Sequence, residues 1–270
     1  MLKGSTEITY KGRKYGQLYH SSNGYVFMTP EAKHMIHFTP LAIRAMAHGS
    51  WNVHSGEEPS EAMTVEEKAG KGKFKWMGHG KEAHVYKLRL EKPGKRLEDR
   101  RKTIAVKFYK TDPEWESPFA HKGIAQAVSL MQAKEHTIET KDYKVTVKPL
   151  TPLFVMSDGR KRHMIAYKEV VNTQDLKELI DVHPQLQLSV VKLAKVIQAW
   201  NAAKDHLILT QGFGEVKMRN MIVEDYDFDG PQVMLKLRFA DIYHPTSPIT
   251  HLVHDHVNKL FPITQREHEE

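Results

Sequence analysis

Near the start of the chain, apolar and polar residues alternate with the period of two that is typical of β-strands. The alternating runs are 8–10, 17–19 and 25–27. Asn23-Gly24 is a hairpin signal, and the apolar pattern that follows these runs predicts a short helix ending at Gly49. Residues 54–71 are rich in Gly, Glu, Ser and Lys without clear periodicity, which predicts a linker. Together these elements predict a small α/β extension over residues 1–70.

The remainder of the chain mixes helical and strand periods. A helix is predicted from Ser117-Pro118 to Ile138, because apolar residues recur every three or four positions along it. A second amphipathic pattern predicts a longer helix over 188–205, and a last helix is predicted over 249–260. The predicted strands are one that begins at Lys73, then 85–90, 104–109, 145–150, 153–156, 163–167 and 221–223, and a last one from 233 that ends at Asp241. Both helices and strands are therefore expected in this part of the chain.

Composition narrows the class of protein. Apolar residues make up 40% of the chain and charged residues 27%, as in ordinary globular domains. No apolar run is long enough to cross a bilayer and the start lacks a signal-peptide pattern, so we expect a cytoplasmic protein with no membrane partner, although delivery into a host cell is also compatible with the sequence. The absence of cysteine excludes disulfides and thiolate zinc sites. The net charge of +7 favours an anionic partner, such as a nucleotide, a nucleic acid or an acidic protein surface.

Two short segments carry the candidate chemistry. The first is a glycine hairpin that runs from Gly78 to Val85, and the second is the strand Ile104-Ala105-Val106-Lys107. Glycines let the backbone approach a phosphate closely, and a lysine beside it supplies positive charge. In this pairing the chain resembles the N-lobe of protein kinases. The resemblance implies that ATP is bound by Gly78, Gly80, Ala83, Val85, Ala105 and Lys107.

The resemblance continues in the elements that follow the lysine strand. Glu135 falls on the apolar stripe of the predicted helix. In kinases a helix in this place donates a glutamate to the strand lysine, so an ion pair between Glu135 and Lys107 is expected. The segment around Glu169 and Val171 resembles the kinase hinge, whose exposed backbone groups bind the edge of adenine. These residues complete the implied nucleotide-binding set.

The segment after the long helix resembles a kinase catalytic loop. On the pattern His-Arg-Asp-Leu-x-x-x-Asn, Asn220 matches the asparagine and Glu215 matches the aspartate that acts as the base. Lys217 matches a lysine that touches the transferring phosphate. Asp241 ends an apolar strand where kinases carry the Asp of Asp-Phe-Gly, although Ile242-Tyr243 replaces Phe-Gly. The resemblance therefore implies catalytic groups at Glu215, Lys107 and Lys217, and a Mg²⁺ or Mn²⁺ site at Asn220 and Asp241.

The part of the chain after the catalytic loop is short for a full kinase. It is similar to the minimal kinases of bacterial effectors and phages, in which activation by a bound protein is common. The implied fold class is α+β, in a two-lobed kinase-like architecture. It has an N-lobe with an antiparallel sheet over 71–171 and a reduced helical C-lobe over 172–270. The implied function is an atypical ATP-dependent kinase that phosphorylates a protein Ser or Thr hydroxyl and takes an activating protein as a partner.

Three other functions stay open at this level. Glu215 is one methylene longer than aspartate, and displacing a carboxylate by about 1 Å can lower a rate about a hundredfold, which favours a nucleotide-binding pseudokinase scaffold. Gly214-Glu215 resembles the loop of aminoglycoside and choline kinases, which favours a small-molecule kinase. The basic charge and the aromatic residues interleaved with lysines suit a nucleic-acid-binding protein, but the chain has no recognised motif of that class.

Overall fold

A computed structural model describes most of the chain. The described residues are 4–21, 24–35, 62–67, 70–79, 83–91, 101–109, 122–157, 163–168, 174–182, 189–214, 216–240 and 247–260. Outside them lie the predicted helix over 39–49 and the predicted site residues Gly80, Glu169, Val171, Glu215 and Asp241. The described elements confirm the predicted α+β class.

The described residues form strands in two sheets. In chain order the strands are β1 (Gly4–Tyr10), β2 (Arg13–Ser21), β3 (Gly24–Met28), β4 (Ala62–Glu67), β5 (Gly70–His79), β6 (Ala83–Glu91), β7 (Arg101–Tyr109), β8 (His136–Glu139), β9 (Tyr143–Pro149), β10 (Pro152–Ser157), β11 (His163–Lys168), β12 (Met221–Asp227) and β13 (Val233–Phe239).

Helices are fewer than strands in this part of the chain. The α-helices are α1 (Lys122–Gln132), α2 (Leu176–Val182), α3 (Val190–Asp205) and α4 (Pro248–Leu260). A π-helical turn, His206–Thr210, directly follows α3, and single segments of 3₁₀-helix cover Pro30–Met35 and Met218–Asn220. The structure confirms the predicted helices near 188–205 and 249–260.

Nine strands form one large antiparallel sheet. Their order is β1-β2-β3-β10-β11-β7-β6-β5-β4. Strand β7 is buried on both faces, with Ile104, Ala105, Val106 and Lys107 all nearly inaccessible to solvent. A strand with this run of small and β-branched residues suits the interior of a sheet, because neither face meets water.

The N-terminal strands belong to this same sheet. β3 pairs with β10, so β1, β2 and β3 extend the sheet beyond β10. Thr29, buried just after β3, donates its hydroxyl to the carbonyl of Pro152 at 2.7 Å and its N–H to the carbonyl of Leu153 at 2.9 Å. The predicted extension is thus joined to the sheet by a continuous hydrogen-bond ladder.

The second sheet has four strands in the order β12-β13-β9-β8. β13 pairs with β9 in parallel, while its other neighbour, β12, is antiparallel. β13 alternates strictly, with Val233, Leu235, Leu237 and Phe239 buried and the residues between them facing outward. Helix α3 packs on β9 and β13 through its buried residues Val196, Ala199, Trp200 and Ala203.

Two sequence predictions about these elements are wrong. Residues 54–71 are not wholly a linker, because β4 lies within them and pairs with β5. The helix predicted to reach Ile138 ends at Gln132. Ile138 is in β8, which pairs with β9, and β-branched residues such as Thr137 and Ile138 favour a strand over a helix.

The chain divides into two compact units. The first comprises Met1–Ala127, Pro152–Lys168 and Thr246–Glu270, and it contains the whole nine-stranded sheet. The second comprises Val128–Thr151 and Glu169–Pro245, and it contains the four-stranded sheet with α2 and α3. The second unit is therefore as much sheet as helix.

Candidate functional site

The lysine strand lies in the interior of the large sheet. β7 is hydrogen-bonded to β6 on one side and to β11 on the other. In this register Lys107 stands opposite Val85 and opposite Ile165, so the three side chains point to the same face of the sheet. Lys107 is only 7% exposed. Burial removes the water that solvates its charge, so its environment has to supply anionic or polar groups in place of that water.

Other predicted nucleotide-binding side chains share the face of Lys107. Ala105 stands opposite Tyr167 of β11, and Ala83 stands opposite Tyr109 of β7. Both alanines are buried, and Val85 is half-buried. The structure therefore brings together four residues that the sequence analysis selected, namely Ala83, Val85, Ala105 and Lys107.

The predicted phosphate-binding hairpin is described in part. Gly78 lies near the end of β5, opposite Val85, and the register shifts between Trp76 and Gly78. A register shift of this kind is a β-bulge, which locally redirects a strand and is common near functional turns. Gly78 on β5, Val85 on β6 and Lys107 on β7 thus lie beside one another on three neighbouring strands.

The Tyr109 ring lies beside the Lys107 side chain and is itself hydrogen-bonded to helix α1. Nζ of Lys107 lies 5.0 Å from the centroid of the Tyr109 ring, which is within the range of a cation–π interaction. The Tyr109 hydroxyl donates a hydrogen bond to Oε1 of Gln126, a buried residue of α1. At Gly123 of α1, an added Cβ would lie 3.0 Å from Cγ1 of Val155 and 3.7 Å from Cε2 of Tyr109. The glycine therefore allows the helix to approach the sheet closely.

The expected ion pair between Glu135 and Lys107 is wrong. Glu135 lies three residues beyond the end of α1, just before β8, and its side chain is 53% exposed. Its carboxylate oxygen Oε2 forms an ion pair with Nζ of Lys148, 3.0 Å away on β9. The helical spacing that placed Glu135 on an apolar stripe does not apply, because the helix has already ended and Glu135 belongs to the second unit.

The first part of the predicted catalytic loop is held by one glycine turn and by apolar contacts. Gly212 has a φ of 70°, in the left-handed region that favours glycine. The next residue, Phe213, donates its N–H to the carbonyl of Leu207 at 3.1 Å. Phe213 is buried, and its ring centroid lies 5.8 Å from that of Phe239 at the end of β13. This ring contact anchors the loop on the second sheet, and Val216 of the loop is buried as well.

The end of this loop lies beside the end of β13. The N–H of Asn220 donates to the carbonyl of Lys217 at 3.0 Å, and the carbonyl of Asn220 accepts from the N–H of Ala240 at 3.4 Å. Ala240 directly precedes Asp241 in the sequence. Asn220 is half-buried and Lys217 is exposed. The structure thus brings Asn220 next to the residue that leads into the other predicted metal ligand.

A polar cluster that the sequence analysis missed holds the start of the loop. Oε1 of Gln211 accepts from the N–H of Lys134 at 3.0 Å, and Nε2 of Gln211 donates to the carbonyl of the same residue at 3.1 Å. These two bonds fix the orientation of the amide. Its NH₂ group then also faces Nε2 of His206 at 3.1 Å. Nε2 of His206 must accept this bond, which assigns the ring proton to Nδ1.

His206 also stacks on His136 of β8. The two ring centroids are 3.8 Å apart, and the ring planes differ by 5°. Burial lowers the pKa of His206 from its ordinary value, and the neighbouring His136 lowers it further. Protonation of Nε2 would place a donor against the donor of Gln211, so the cluster favours neutral His206. Its members are far apart in the sequence, and no motif spacing connects them.

Two further properties concern the described residues as a whole. No helix among them is long and apolar enough to cross a membrane. The same residues contain no group of three His, Cys, Asp or Glu side chains arranged to hold a metal ion, and the predicted ligand Asp241 is not one of the described residues.

No model of a protein family matches the chain, and no curated protein matches it.

Proposed function

We propose that this protein is an atypical ATP-dependent kinase with a two-lobed kinase-like fold, which transfers the γ-phosphate of ATP to a Ser or Thr hydroxyl of a protein. The observation that carries the proposal is buried Lys107, which shares one face of an interior strand with Ala105 and stands beside Val85. In this position its ammonium group would place a positive charge beside the phosphates of a nucleotide bound over that face of the sheet.

The order of strands in the large sheet supports the proposal. β5 and β6, which flank the glycine hairpin, are followed by β7 with its lysine, then by β11 and β10. β11 leads into the predicted hinge. This order resembles that of a kinase N-lobe, in which the phosphate-binding strands and the strand that enters the hinge are neighbours.

Each part of this face has a separate role toward ATP in the proposal. Val85 and Ala105 present small apolar surfaces to the adenine ring, and the backbone at Glu169 and Val171 binds the polar edge of that ring. The hairpin glycines allow the main chain to approach the phosphates. Lys107 then forms charge-assisted hydrogen bonds with phosphate oxygens.

The chemical step is assigned to the loop of the second unit. Glu215 accepts the proton of the attacking hydroxyl, whose oxygen forms a bond to the γ-phosphorus while the bond to the bridging β–γ oxygen breaks and ADP leaves. Lys217 offsets negative charge on the transferring group. The side chain of Asn220 and that of Asp241 supply oxygen ligands of the kind that Mg²⁺ prefers, and the bound ion would neutralise phosphate charge. The backbone contact between Asn220 and Ala240 fits such a shared role.

One observation favours a second candidate function, a nucleotide-binding scaffold without catalysis. The glutamate expected to pair with Lys107 instead pairs with Lys148. In active kinases that lysine–glutamate pair is one of the parts that must be in place for transfer. The replacement of the usual aspartate base by Glu215 points in the same direction.

Transfer of labelled γ-phosphate tests the proposal. The protein is incubated with labelled ATP and Mg²⁺ or Mn²⁺, alone, with general protein substrates and with cell extract as a source of an activating protein. The variants are Lys107→Ala, Glu215→Gln and Asp241→Asn. Lys144→Ala is the matched control, because Lys144 is a partly exposed lysine of β9 that pairs with Glu139 at 2.7 Å.

The kinase proposal predicts label in protein for the wild type and for Lys144→Ala, and its loss in the other three variants. ATP binding without transfer under every condition would support the scaffold. A wild-type protein that fails to bind ATP would contradict both functions. Transfer to aminoglycosides or choline in place of protein would move the assignment to a small-molecule kinase.

A further inference from the structure

Helix α1, which follows the lysine strand, offers no carboxylate to Lys107. Its residues from Lys122 to Gln132 include neither Asp nor Glu. Glu135, the next acidic residue along the chain, is engaged by Lys148. A neutral residue of this helix, Gln126, is instead buried near the lysine strand. The support that α1 gives to Lys107 is therefore uncharged.

The contact between this helix and the lysine passes through Tyr109. Tyr109 and Lys107 are two residues apart on β7, so they lie on the same face, and both are 7% exposed. The ammonium group of Lys107 lies 5.0 Å from the ring centroid. The tyrosine hydroxyl donates to Gln126, so the ring is held at both its apolar body and its polar end.

Gly123 makes this arrangement possible. It lies one turn before Gln126 on α1, and an added Cβ would be 3.0 Å from Val155 and 3.7 Å from the Tyr109 ring. A distance of 3.0 Å is closer than ordinary van der Waals contact between carbon atoms. The absence of a side chain therefore lets α1 approach the sheet until Gln126 reaches the tyrosine hydroxyl.

We propose that Tyr109 and Gln126 are positioning residues for Lys107 and replace the carboxylate that a kinase helix supplies. The ring of Tyr109 fixes the ammonium group, and Gln126 fixes the ring. The role assigned to Lys107 in phosphate binding rests on the proposed function, whereas the geometric relation among the three residues does not.

The support from α1 differs from a carboxylate in one respect. A carboxylate on this helix would add a negative charge near Lys107, whereas the Tyr109 ring and the Gln126 amide add none. Replacing Gln126 by Glu places a carboxylate in the helix while keeping an acceptor for the tyrosine hydroxyl.

The test is NMR of the protein carrying ¹³Cε-labelled lysine, with the Lys107 signal assigned through Lys107→Arg. A ring that faces the ammonium group shifts the neighbouring ε-protons upfield by its ring current. The variants are Tyr109→Leu, Tyr109→Phe, Gln126→Leu and Gln126→Glu. Tyr226→Phe is the control, because Tyr226 lies in β12 of the second unit. Thermal unfolding of each variant verifies that it is folded.

The proposal predicts that Tyr109→Leu moves the Lys107 signal to the ordinary lysine position and that Tyr109→Phe keeps most of the upfield shift. Gln126→Leu is expected to broaden the Lys107 signal or to reduce its upfield shift, and Gln126→Glu is expected to preserve that shift. If the Lys107 signal of folded Tyr109→Leu matches that of the wild type, the proposal is overturned. The NMR measurement requires no ATP and is therefore independent of activity. If the Lys107 signal responds as predicted but the protein transfers no phosphate, the positioning role of Tyr109 and Gln126 stands and the kinase assignment is rejected.

Activity separates positioning from general stability. In an active enzyme, a misplacement on the order of 1 Å can cost about a hundredfold in rate, so Tyr109→Leu is expected to lower kcat by about that factor. Tyr109→Phe is expected to lower kcat about tenfold or less, since it keeps the ring under the lysine. Equal losses in the Leu and Phe variants would contradict a role for the ring.

Discussion

The two regions that carry the proposed chemistry are held in place in different ways. Lys107 is on a strand with hydrogen-bonded neighbours on both sides, and both faces of that strand are buried. The described residues between Gln211 and Asn220 are held by backbone hydrogen bonds, by the bonds of the Gln211 amide to Lys134 and His206, and by the buried side chains Phe213 and Val216. The charge proposed to bind phosphate is thus fixed by the sheet, whereas the loop is held by contacts of several different kinds.

The side chains that support the two regions also differ in chemistry. Around Lys107 the supporting groups on β7 and α1 are Tyr109 and Gln126, and both are neutral at physiological pH. At the start of the loop the supporting groups include His206, which stacks on His136 and whose pKa is lowered by burial and by that neighbour. The first region should therefore tolerate acidification better than the second.

The largest expected effect comes from removing the charge of the first region. Lys107→Ala should lower phosphoryl transfer by about 10²–10³-fold, because positioned charge contributes most of the catalysis in this reaction class. The comparison variant is Lys144→Ala, which should keep the wild-type rate. A Lys107→Ala enzyme that is folded and fully active would remove Lys107 from the site.

Adding a side chain at Gly123, where α1 approaches the sheet, should lower the stability of the first region through overpacking. Gly123→Ala places a methyl group 3.0 Å from Cγ1 of Val155, a residue that is fully buried. Overpacking of this kind costs about 1–3 kcal/mol, which exceeds the gain of up to about 1 kcal/mol from replacing a helical glycine by alanine. Urea unfolding should therefore show a net loss of stability.

Two variants sharpen this packing test. Val155→Ala combined with Gly123→Ala removes the clashing methyl group, so the double variant should be more stable than the sum of the single effects predicts. At Gly230→Ala the nearest heavy atom to the added Cβ is 3.5 Å away, so its effect should stay within about 0.5 kcal/mol. If Gly123→Ala is as harmless as Gly230→Ala, the close approach of α1 is not required.

The second region should respond to pH through His206. Its pKa is lowered in the folded protein from the ordinary value of 6.5, with burial as the main cause. The unfolded chain then binds the proton more readily, so the stability from neutral His206 is present above pH 6.5 and is lost as pH falls toward the folded pKa. The free energy of unfolding should decline over that window, and His206→Gln should flatten the decline.

His251→Gln provides a comparison for this pH effect, because His251 is exposed on α4 in the first unit. That variant should follow the wild-type pH profile. A His206→Gln variant whose stability falls as steeply as the wild type on acidification would show that other groups cause the decline.

The smallest effect is expected at Glu135. Glu135→Gln breaks an ion pair with Lys148 in which both side chains are about half-exposed. Pairs of this kind contribute about 0–1 kcal/mol, so stability should change little and ATP binding should not change. A large loss of ATP binding in this variant would instead restore the pairing of Glu135 with Lys107 that the resemblance implied.

Local sequence patterns predicted many of the elements but not how distant elements pair. The strands β6, β7, β10 and β11 and the helix α3 follow from local periodicity, which is why their positions were predictable. The parallel pairing of β9 with β13 joins segments far apart in the chain, and no local pattern records it. The end of α1 was misplaced because an apolar spacing of three and four residues continued into a segment that pairs as a strand.

The candidate site shows the same limit. Ala105 and Lys107 were predictable because alternation on one strand places them on one face. The bond between Tyr109 and Gln126 was not predictable, since it requires knowing how α1 lies on the sheet. The cluster of His206 with Gln211 likewise depends on the contact of β8 and its preceding residues with the loop, which the sequence analysis did not anticipate.

The most direct test of whether Lys107 binds the phosphates of ATP is a chemical label that an ATP derivative delivers. An acyl phosphate of ATP transfers its acyl group to a lysine amine that lies beside the bound phosphates, and ATP leaves as the other product. The modified lysine is then identified by mass spectrometry, with and without excess ATP as competitor. If Lys107 binds the phosphates of ATP, we expect it to be acylated, and we expect excess ATP to suppress the acylation. Labelling that avoids Lys107, or that excess ATP leaves unchanged, would contradict it.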